Sequence, residues 1–300
     1  MNETMNILMA VNRKYVTQMK TLLCSLGCNN DCIIDVYLMY TELSEHTIED
    51  LKQFVTKWCR GRLHAIKINN SFLQNAKLLL HFSIEIYYRI FAVEYLPENI
   101  DRILWLDADI VVISDIREFY YSDLKGYSVA VCAHREKDIT NKVVNKDAIR
   151  RLGWQDENNI YFNSGVILMD LKKIRKYFNH DYTIELINSA NTRDYEHRII
   201  YPDQDILNII YQSDKLCVDE SIFNYQVHYD WNYDSEKEFV NKFVKILHFA
   251  GPVKPWDYKT FHFTYAYYWK YYLMFGRKSV YYKCKIKRQI YFIYKQIKKL

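Results

Sequence analysis

The sequence predicts an α/β fold in which helices flank a mostly parallel sheet. Short apolar segments alternate along the chain with amphipathic segments whose apolar residues recur every three or four positions. Strands and helices that alternate in this way are typical of a parallel sheet covered on both faces. With 300 residues, half of them hydrophobic, the chain is long enough to bury such a core.

The order of the elements follows from these segments. Six apolar segments are predicted to form buried strands, at residues 6–11, 33–40, 103–106, 128–132, 166–169 and 244–249. Five segments with helical spacing are predicted to form helices, at residues 15–26, 45–58, 84–96, 171–178 and 204–211. Ligands of open α/β sheets bind beyond the carboxyl ends of the strands. Four places beside the strands are therefore candidate functional segments, at residues 12–15, 107–109, 163–165 and 248–256.

Glycine is too sparse for the two common glycine-rich phosphate-binding motifs. The seven glycines allow neither G-x-G-x-x-G nor G-x-x-x-x-G-K-[ST] to be written anywhere in the chain. These missing motifs argue against a standard Rossmann dehydrogenase and against a P-loop NTPase. If the protein handles phosphates, a divalent metal held by carboxylates is the usual way to neutralise them.

The basic charge of the chain is concentrated at its C-terminal end. Residues 258–300 contain eleven Lys or Arg, no Asp or Glu, and 15 of the 49 aromatic residues. Residues 1–257 contain 30 basic and 36 acidic residues and carry a net charge of −6. We therefore expect a catalytic domain at 1–257 and a basic, aromatic tail at 258–300 that attaches to an anionic membrane surface. Packing of the tail on its own domain is the alternative; nucleic acid is not expected as a partner.

The expected location is cytoplasmic, peripheral on the inner face of the membrane. No apolar segment reaches the roughly 18 to 20 residues that a membrane-spanning helix needs. The first twelve residues lack the basic flank, long apolar stretch and cleavage site of a signal peptide.

Two carboxylates interrupt an otherwise apolar stretch of the chain. Asp107 and Asp109 lie between the apolar segments 103–106 and 110–113. Bare anions are costly to bury there, so a cation between them is one interpretation, and turn or helix-capping aspartates are the other.

His248 follows another apolar segment, where a hydrogen-bonded core histidine is the simpler interpretation. Two carboxylates and one imidazole would suit Mn²⁺ better than Ca²⁺ or structural Zn²⁺.

Four motifs make the sequence similar to a known family. They are Leu-Trp-Leu-Asp-Ala-Asp-Ile-Val-Val at 104–112, Phe-Asn-Ser-Gly-Val at 162–166, Asp-Gln-Asp-Ile-Leu-Asn at 203–208 and His-Phe-Ala-Gly-Pro-Val-Lys-Pro-Trp at 248–256. In order and approximate spacing, residues 6–256 resemble the family 8 glycosyltransferases. That family includes glycogenin and the bacterial galactosyl- and glucosyltransferases of surface polysaccharide synthesis.

The resemblance implies a GT-A fold, Rossmann-like, with a mixed and mostly parallel sheet. It also implies a retaining transfer of a hexose from a UDP-sugar to a surface glycan or glycolipid. The implied metal is Mn²⁺, with Mg²⁺ as the alternative, held by Asp107, Asp109 and His248. The implied donor-binding residues are Ala10, Asn12 and Tyr15 at the uracil, Arg89 near the donor sugar, and Gly251 and Lys254 at the diphosphate. Asn163 and Asp203 are implied to bind the sugar hydroxyls, and Asp107 and Ser164 are also implied to contact the donor. The implied catalytic residues are Gln204, near the anomeric carbon, and Asp203.

Several alternatives stay open at this point. The family often has an acidic residue where Asn12 stands, although an amide can also recognise a uracil edge. Tyr15 could pack against a core, Arg89 could pair with Glu85 along a helix, and Asp203 could cap the helix at 204–211. Retention by front-face transfer fits an amide at position 204 better than a covalent intermediate does, while Asp203 remains a candidate nucleophile. A sugar-nucleotide hydrolase and a catalytically weak UDP-sugar-binding module are the rival functions, and the choice between glucose and galactose cannot be read from the sequence.

Overall fold

The computed structural model describes residues 3–76, 83–133, 139–156, 158–227, 233–251 and 254–298. Within these ranges the strands are β1 Thr4–Ala10, β2 Ile33–Tyr40, β3 Arg60–Lys67, β4 Arg102–Leu106, β5 Ile110–Val112, β6 Val129–Ala133, β7 Phe162–Asp170, β8 Lys215–Asp219, β9 Tyr225–Gln226 and β10 Ile246–His248. The helices are α1 Val16–Asn29, α2 Glu45–Cys59, α3 Ala92–Tyr95, α4 Arg117–Tyr120, α5 Ile139–Leu152, α6 Leu171–Tyr177, α7 His180–Ser189, α8 Pro202–Ile210, α9 Glu220–Phe223, α10 Tyr233–Phe243, α11 Tyr265–Tyr272 and α12 Lys278–Ile297. Pro252 and Val253 of the fourth motif lie outside the described residues, as do residues 299 and 300.

Seven strands form a central mixed sheet in the order β3-β2-β1-β4-β7-β6-β8. All neighbouring pairs are parallel except the two made by β7, which runs antiparallel to both β4 and β6. The amino-terminal half of β7 therefore lies beside the carboxyl end of β4, where Leu106 pairs with Val166 and the Asp107 amide donates to the Gly165 carbonyl at 2.9 Å. This is why Asn163, placed beside a strand by the sequence analysis, lies within β7 and still reaches the ligand-binding edge of the sheet.

Three short strands form a second sheet in the order β5-β10-β9. Strand β10 runs antiparallel to β5, with His248 opposite Ile110, and parallel to β9, with His248 opposite Gln226. Residues 107–109 connect β4 of the central sheet to β5 of the small one. The two sheets therefore meet at the carboxylates that the sequence analysis singled out.

The segment at 84–96 differs from the sequence prediction, which is a single helix. It consists of a 3₁₀ helix at Ile84–Tyr87, a run of tight turns, and the four-residue α3. Its backbone amides bond three residues back, as in Tyr88 to Glu85 and Phe91 to Tyr88. Because side chains three residues apart share a face in both kinds of helix, the apolar spacing does not separate them.

Two strands of the central sheet, β3 and β8, are absent from the sequence prediction because they lie at its edges. Strand β3 alternates exposed and covered positions along much of its length, and β8 has no fully buried residue. Edge strands carry more polar residues than central ones, so neither forms a continuous apolar segment. The predicted central strands at 33–40 and 103–106 lie within observed strands.

Helix α11 packs into the hydrophobic core beside α1. Five of its aromatic side chains are buried: Tyr265, Tyr268, Trp269, Tyr271 and Tyr272. The Asn29 side-chain amide on α1 donates to the Tyr271 hydroxyl at 2.7 Å. The change in composition near residue 258 therefore does not coincide with the end of the packed core, and the aromatic residues available to an external surface are mainly those of α12. Among the described residues, no helix is long and apolar enough to cross a membrane.

Candidate active site

Three of the predicted residues come together where the two sheets meet. Asp107 directly follows β4, Asp109 immediately precedes β5, and His248 is the last residue of β10. One ligand atom from each lies within 4.8 Å of the others. The His248 Nε2 atom is 3.2 Å from Asp109 Oδ1 and 3.9 Å from Asp107 Oδ2. Two β-strands and one connecting turn thus hold three potential metal ligands in a preformed cluster.

A chain of side-chain amides defines which His248 nitrogen carries the proton. The Gln204 Oε1 atom accepts from the backbone amide of Ser164 at 3.1 Å, so the Asn163 Nδ2 group that also faces it, at 2.9 Å, is a donor. The Asn163 Oδ1 atom then accepts from Asn224 Nδ2 at 3.0 Å, which leaves Asn224 Oδ1 facing His248 Nδ1 at 2.8 Å. His248 Nδ1 must therefore donate its proton to Asn224, and the His248 Nε2 atom is the one that points at the carboxylates.

This protonation pattern makes the cluster fit a cation. With a proton on Nδ1, neutral His248 directs the Nε2 lone pair at Asp109 Oδ1, which is also an acceptor. Two lone pairs 3.2 Å apart repel unless a positive charge, either a second proton or a metal ion, lies between them. A histidine whose other nitrogen is fixed by a hydrogen bond is the usual arrangement of a metal-ligating imidazole. The donor set of two carboxylates and one imidazole fits the Mn²⁺ that the resemblance implies.

Gly165 allows the His248 ring to occupy this position. A Cβ atom at residue 165 would lie 2.3 Å from His248 Cε1 and 2.9 Å from its Nδ1. These distances are below any van der Waals contact, so a larger residue would displace the ring. The glycine of the second motif is thus required for a close approach between β7 and β10.

Lys254 adds a cation to the cluster from the segment after β10. Its Nζ atom lies 2.7 Å from Asp109 Oδ2, the carboxylate oxygen that does not face His248. Burial alone would raise the pKa of Asp109, but Lys254 and His248 outweigh it and hold that pKa well below its usual range. Gly251 lies between β10 and Lys254 and is half-buried.

Arg89 joins the carboxylates of two motifs. Its Nη2 atom is 2.9 Å from Asp107 Oδ1 and 3.5 Å from Asp203 Oδ2. The guanidinium lies over the Trp105 ring, 4.2 Å from its centroid, and the Trp105 indole also donates to Asp107 Oδ1 at 2.9 Å. Arg89 therefore pairs with these two carboxylates rather than with Glu85 along a helix.

Asp203 lies in the first turn of α8 rather than at its cap. Its carboxylate accepts from the Ser164 hydroxyl at 3.1 Å and is buried. Burial raises the pKa of Asp203, and the negative charge of Asp107 raises it as well, while the Arg89 guanidinium acts in the opposite direction. Residue 201 is the N-cap of α8, and it makes no side-chain capping bond.

Gln204 is held at both ends of its side-chain amide. Its Oε1 atom accepts from Asn163 and Ser164, and its Nε2 group donates to the Tyr161 hydroxyl at 2.8 Å. That hydroxyl donates to Asp205 at 2.6 Å. Burial and the neighbouring Asp205 charge raise the pKa of Tyr161 well above its ordinary value, so its hydroxyl keeps its proton.

A buried ion pair between Arg151 and Asp205 lies next to Tyr161 and so supports the position of Gln204. Asp205 is fully buried and receives two hydrogen bonds from the Arg151 guanidinium, at 2.7 and 3.0 Å. It also accepts from the backbone amides of Ile200 and Tyr201. The second Asp-x-Asp pair of the sequence thus contains one site residue, Asp203, and one structural residue, Asp205.

The predicted uracil-binding residues line the carboxyl end of β1. Ala10 is the last residue of that strand, and Asn12 caps the 3₁₀ helix Arg13–Tyr15 by accepting from the Lys14 amide at 3.0 Å. The Asn12 Nδ2 group donates to Ser83 at 3.2 Å. Asn12 is therefore positioned by its own backbone turn.

Tyr15 is the last residue of the 3₁₀ helix that Asn12 caps. The pKa of Tyr15 is raised, mainly by partial burial. The negative charges of Asp109 and Asp107 raise this pKa as well, while the positive charge of Lys254 acts in the opposite direction. The phenol is thus close enough to the cluster for these charges to act on it. With 36% of its surface exposed, Tyr15 does not cap a core.

The sequence analysis assigned no role to several residues of this network. Trp105 and Gly165 lie inside quoted motifs, but nothing in the sequence shows that they contact Asp107 and His248. Asn224 is a buried asparagine and is the single residue between α9 and β9. Its residue type and spacing carry no signal, because its contacts are made 24 and 61 positions away.

Asn224→Leu should weaken Mn²⁺ binding by roughly 10- to 100-fold, because the apolar side chain no longer fixes the proton on His248 Nδ1. Electron paramagnetic resonance of free Mn²⁺ measures the affinity, and ¹⁵N NMR of the imidazole in metal-free protein reports which nitrogen is protonated. Asn30→Leu is the matched control, since Asn30 is equally buried and bonds Leu26 and Ile116 instead. Equal Mn²⁺ affinity in the wild type and Asn224→Leu would contradict the positioning role.

The chain matches the sequence model described as Glycosyl transferase family 8 over residues 6–260. Lipopolysaccharide 1,2-glucosyltransferase of Escherichia coli (strain K12) is 26% identical over 260 residues, which are 85% of this chain and 73% of that protein. Glycosyltransferase GlyF of Streptococcus pneumoniae serotype 4 is 24% identical over 255 residues, which are 84% of this chain and 57% of that protein.

The fold is also that of solved structures. Galactosyltransferase LgtC, in complex with donor and acceptor sugar analogues, superposes with a TM-score of 0.70 at 22% identity, covering 90% of this chain and 96% of its own. GlyE of Streptococcus pneumoniae TIGR4 superposes with a TM-score of 0.64 at 19% identity, covering 98% of this chain and 64% of its own. The predicted GT-A fold, with its mixed and mostly parallel sheet, is confirmed.

Proposed function

This chain belongs to glycosyl transferase family 8, and from that premise we propose that it transfers a hexose, glucose or galactose, from a UDP-sugar to a surface-glycan acceptor with retention of configuration. The observation that carries the proposal is the cluster of Asp107, Asp109 and His248 at the junction of the two sheets. Arg89 and Lys254 add positive charge beside these carboxylates. Such a cluster suits a substrate that carries a diphosphate.

In the proposed site, Asp107, Asp109 and His248 hold Mn²⁺, which when bound offsets the negative charge that develops on the departing UDP. Lys254 is already directed at this place through Asp109, and with Gly251 it forms the diphosphate-binding segment. Arg89 orients Asp107 and Asp203 through one guanidinium group, so it would couple the metal ligands to the residues at the sugar.

Asn163, Ser164, Asp203 and Gln204 form the proposed sugar-binding side of the site. The Gln204 amide is engaged by three hydrogen bonds and has no charge, so it is a poor nucleophile. Asp203 is paired with Arg89 and bonded by Ser164, which suits a role in binding sugar hydroxyls. We therefore favour a front-face transfer in which the leaving phosphate helps to deprotonate the acceptor.

The proposed donor base is uracil, bound beside Ala10 and Asn12 with the Tyr15 ring stacked on it. UDP with Mn²⁺ should raise the melting temperature more than GDP or ADP with Mn²⁺, because the proposed contacts of Ala10, Asn12 and Tyr15 are made to the uracil base. Differential scanning fluorimetry at matched nucleotide concentration measures the shifts. Tyr15→Ala should remove the difference between the nucleotides, and equal shifts for all three with the wild type would refute a uridine pocket.

The transferase activity is tested with a panel of UDP-hexoses and glycan acceptors. We expect hexose addition, detected by mass spectrometry, from one UDP-sugar, and an α-linked product from an α-linked donor, detected by proton NMR of the anomeric signal early in the reaction. Release of free hexose with no glycoside for any acceptor would favour hydrolysis of the UDP-sugar instead. A β-linked product would refute retention.

The proposed acceptor is a glycan or glycolipid at an anionic membrane surface, and the proposed location of the protein is the inner, cytoplasmic face of that membrane. Support comes from α12, a helix with six Lys or Arg and no Asp or Glu. Most of its surface is exposed, including large apolar side chains at 286, 290, 293 and 297. Interfacial helices combine these two properties, and salt should weaken their attraction to anionic lipid.

A further inference from the structure

Helices α11 and α12 face each other across a groove that their own side chains do not fill. The two helices meet where the rings of Trp269 and Tyr281 lie 5.3 Å apart, centroid to centroid. Beyond this contact a cavity of about 940 Å³ opens between them. On each helix the lining residues recur every three or four positions, so one whole face of each helix is directed into the groove.

The walls of the groove are mainly apolar and aromatic. Besides Trp269 and Tyr281, the lining includes Leu273 from the end of α11 and Phe292 and Ile293 from α12. Ile293 is also part of an exposed apolar stripe along α12, made by Tyr282, Ile286, Ile290, Ile293 and Ile297, each more than half exposed. The groove is therefore continuous with the apolar outer surface of the helix.

Within the part of the chain that the structure describes, the charged residues that line the groove are all basic. Lys270 comes from α11, and Lys285 and Arg288 come from α12. Arg288 is anchored through Nη2, which donates to the carbonyls of Pro255 at 2.8 Å and Asp257 at 2.6 Å. Its Nε atom is buried, and among the described residues no hydrogen-bond partner is found for it. An apolar cavity with cations in its wall is complementary to a molecule that combines an alkyl chain with an anionic head.

We propose that this groove binds one anionic phospholipid, with an acyl chain among Trp269, Leu273 and Phe292 and its phosphate near Lys285 and Arg288. The inference rests on the membrane-surface role proposed above for α12. It adds the class of lipid and a defined binding site. A bilayer surface alone would need only the outer stripe of α12, whereas the groove selects a single molecule. Arg288 also donates to the carbonyls of Pro255 and Asp257, which follow Lys254. The proposed lipid site is therefore next to the segment assigned to the diphosphate.

The test uses full-length protein and lipids that are monomeric in solution, so that no membrane surface is present. Isothermal titration calorimetry should show saturable binding of dihexanoyl-phosphatidylglycerol below its critical micelle concentration. Dihexanoyl-phosphatidylcholine should bind at least tenfold more weakly, because its head carries no net charge. Glycerol 3-phosphate, which has the anionic head without the chain, should give no saturable heat.

Ala266→Trp is the blocking variant, because Ala266 is exposed in the groove and a large ring there would fill it. It should weaken dihexanoyl-phosphatidylglycerol at least tenfold. Val280→Trp is the matched control, since it adds the same ring at an exposed position of α12 outside the groove. Lys285→Glu should reduce the preference for the anionic head. The proposal would be overturned if Ala266→Trp left the affinity for dihexanoyl-phosphatidylglycerol unchanged. It would also be overturned if the wild type bound the two lipids equally or bound neither. Tight binding of glycerol 3-phosphate would indicate a phosphate site instead of a lipid site.

Vesicle sedimentation separates this inference from the membrane-surface proposal. If anionic vesicles pellet both the wild type and Ala266→Trp while calorimetry shows no groove effect, the surface role stands and the groove proposal is refuted. If no vesicle pellets the protein but Ala266→Trp abolishes binding of the monomeric lipid, the groove is supported and the surface role is refuted.

Discussion

Asp109→Asn should lower turnover by about a thousandfold while the protein stays folded. A metal ion that stabilises a leaving group is worth several kcal/mol, and about 4 kcal/mol corresponds to a factor of about 1,000 in rate. The substitution removes one anionic ligand from the cluster with Asp107 and His248 but keeps the size of the side chain. The amide oxygen still accepts from Lys254, so the segment after β10 retains its anchor.

The measurement pairs initial rates with Mn²⁺ affinity from electron paramagnetic resonance and with the melting temperature. Asp50→Asn is the control, since that exposed carboxylate pairs with Lys20 on the surface and should leave all three quantities unchanged. Turnover within tenfold of the wild type in Asp109→Asn, with unaltered dependence on Mn²⁺, would show that Asp109 is not a ligand.

Arg151→Met should lower the free energy of unfolding by roughly 3–5 kcal/mol. The change leaves Asp205 as a buried anion without its guanidinium partner, and both side chains are almost completely excluded from water. Removal of one partner of a buried pair costs much more than the pair itself contributes. Because Asp205 accepts from the Tyr161 hydroxyl, which in turn accepts from Gln204, turnover should fall as well.

Urea titration of the wild type and the variant gives the difference in unfolding free energy. Asp147→Asn is the matched control, since it neutralises the second carboxylate that pairs with Arg151. Asp147 is 40% exposed and lies 3.2 Å from the guanidinium, so this change should cost less than about 1 kcal/mol. A similar loss of unfolding free energy in Arg151→Met and Asp147→Asn would mean that burial does not determine the strength of the pair between Arg151 and Asp205.

How far the sequence predicts this fold depends on where each element lies. The inner strands are mostly apolar, because both faces of the sheet are covered there, and so the segments at 33–40 and 103–106 stand out. Strands β3 and β8 lie at the sheet edges, where solvent allows polar side chains, and their segments look like loops. The segment at 84–96 has helical spacing but folds into 3₁₀ turns, since both structures direct every third residue to one side.

Some residues of the candidate site can likewise be recognised from the sequence, and others cannot. Asp107, Asp109 and His248 are recognisable because each is a polar residue next to an apolar strand, where burial needs an explanation. Asn224, Tyr161 and the pair of Arg151 with Asp205 act through hydrogen bonds to residues far away in the chain. Their residue types are ordinary in loops and helices, so only three-dimensional contact reveals them.

The pairing of β10 with β5 limits which insertions and deletions this chain could tolerate during evolution. His248 lies opposite Ile110, and adjacent residues of a strand point to opposite faces. A single inserted residue between Ile246 and His248 would turn the imidazole away from the carboxylates, while the backbone pairing could re-form one step along. Variation in length should therefore be confined to the loops before β10 and after β5, and a homologue with one residue more or less inside these two strands should have lost the ligand set even if it keeps the fold.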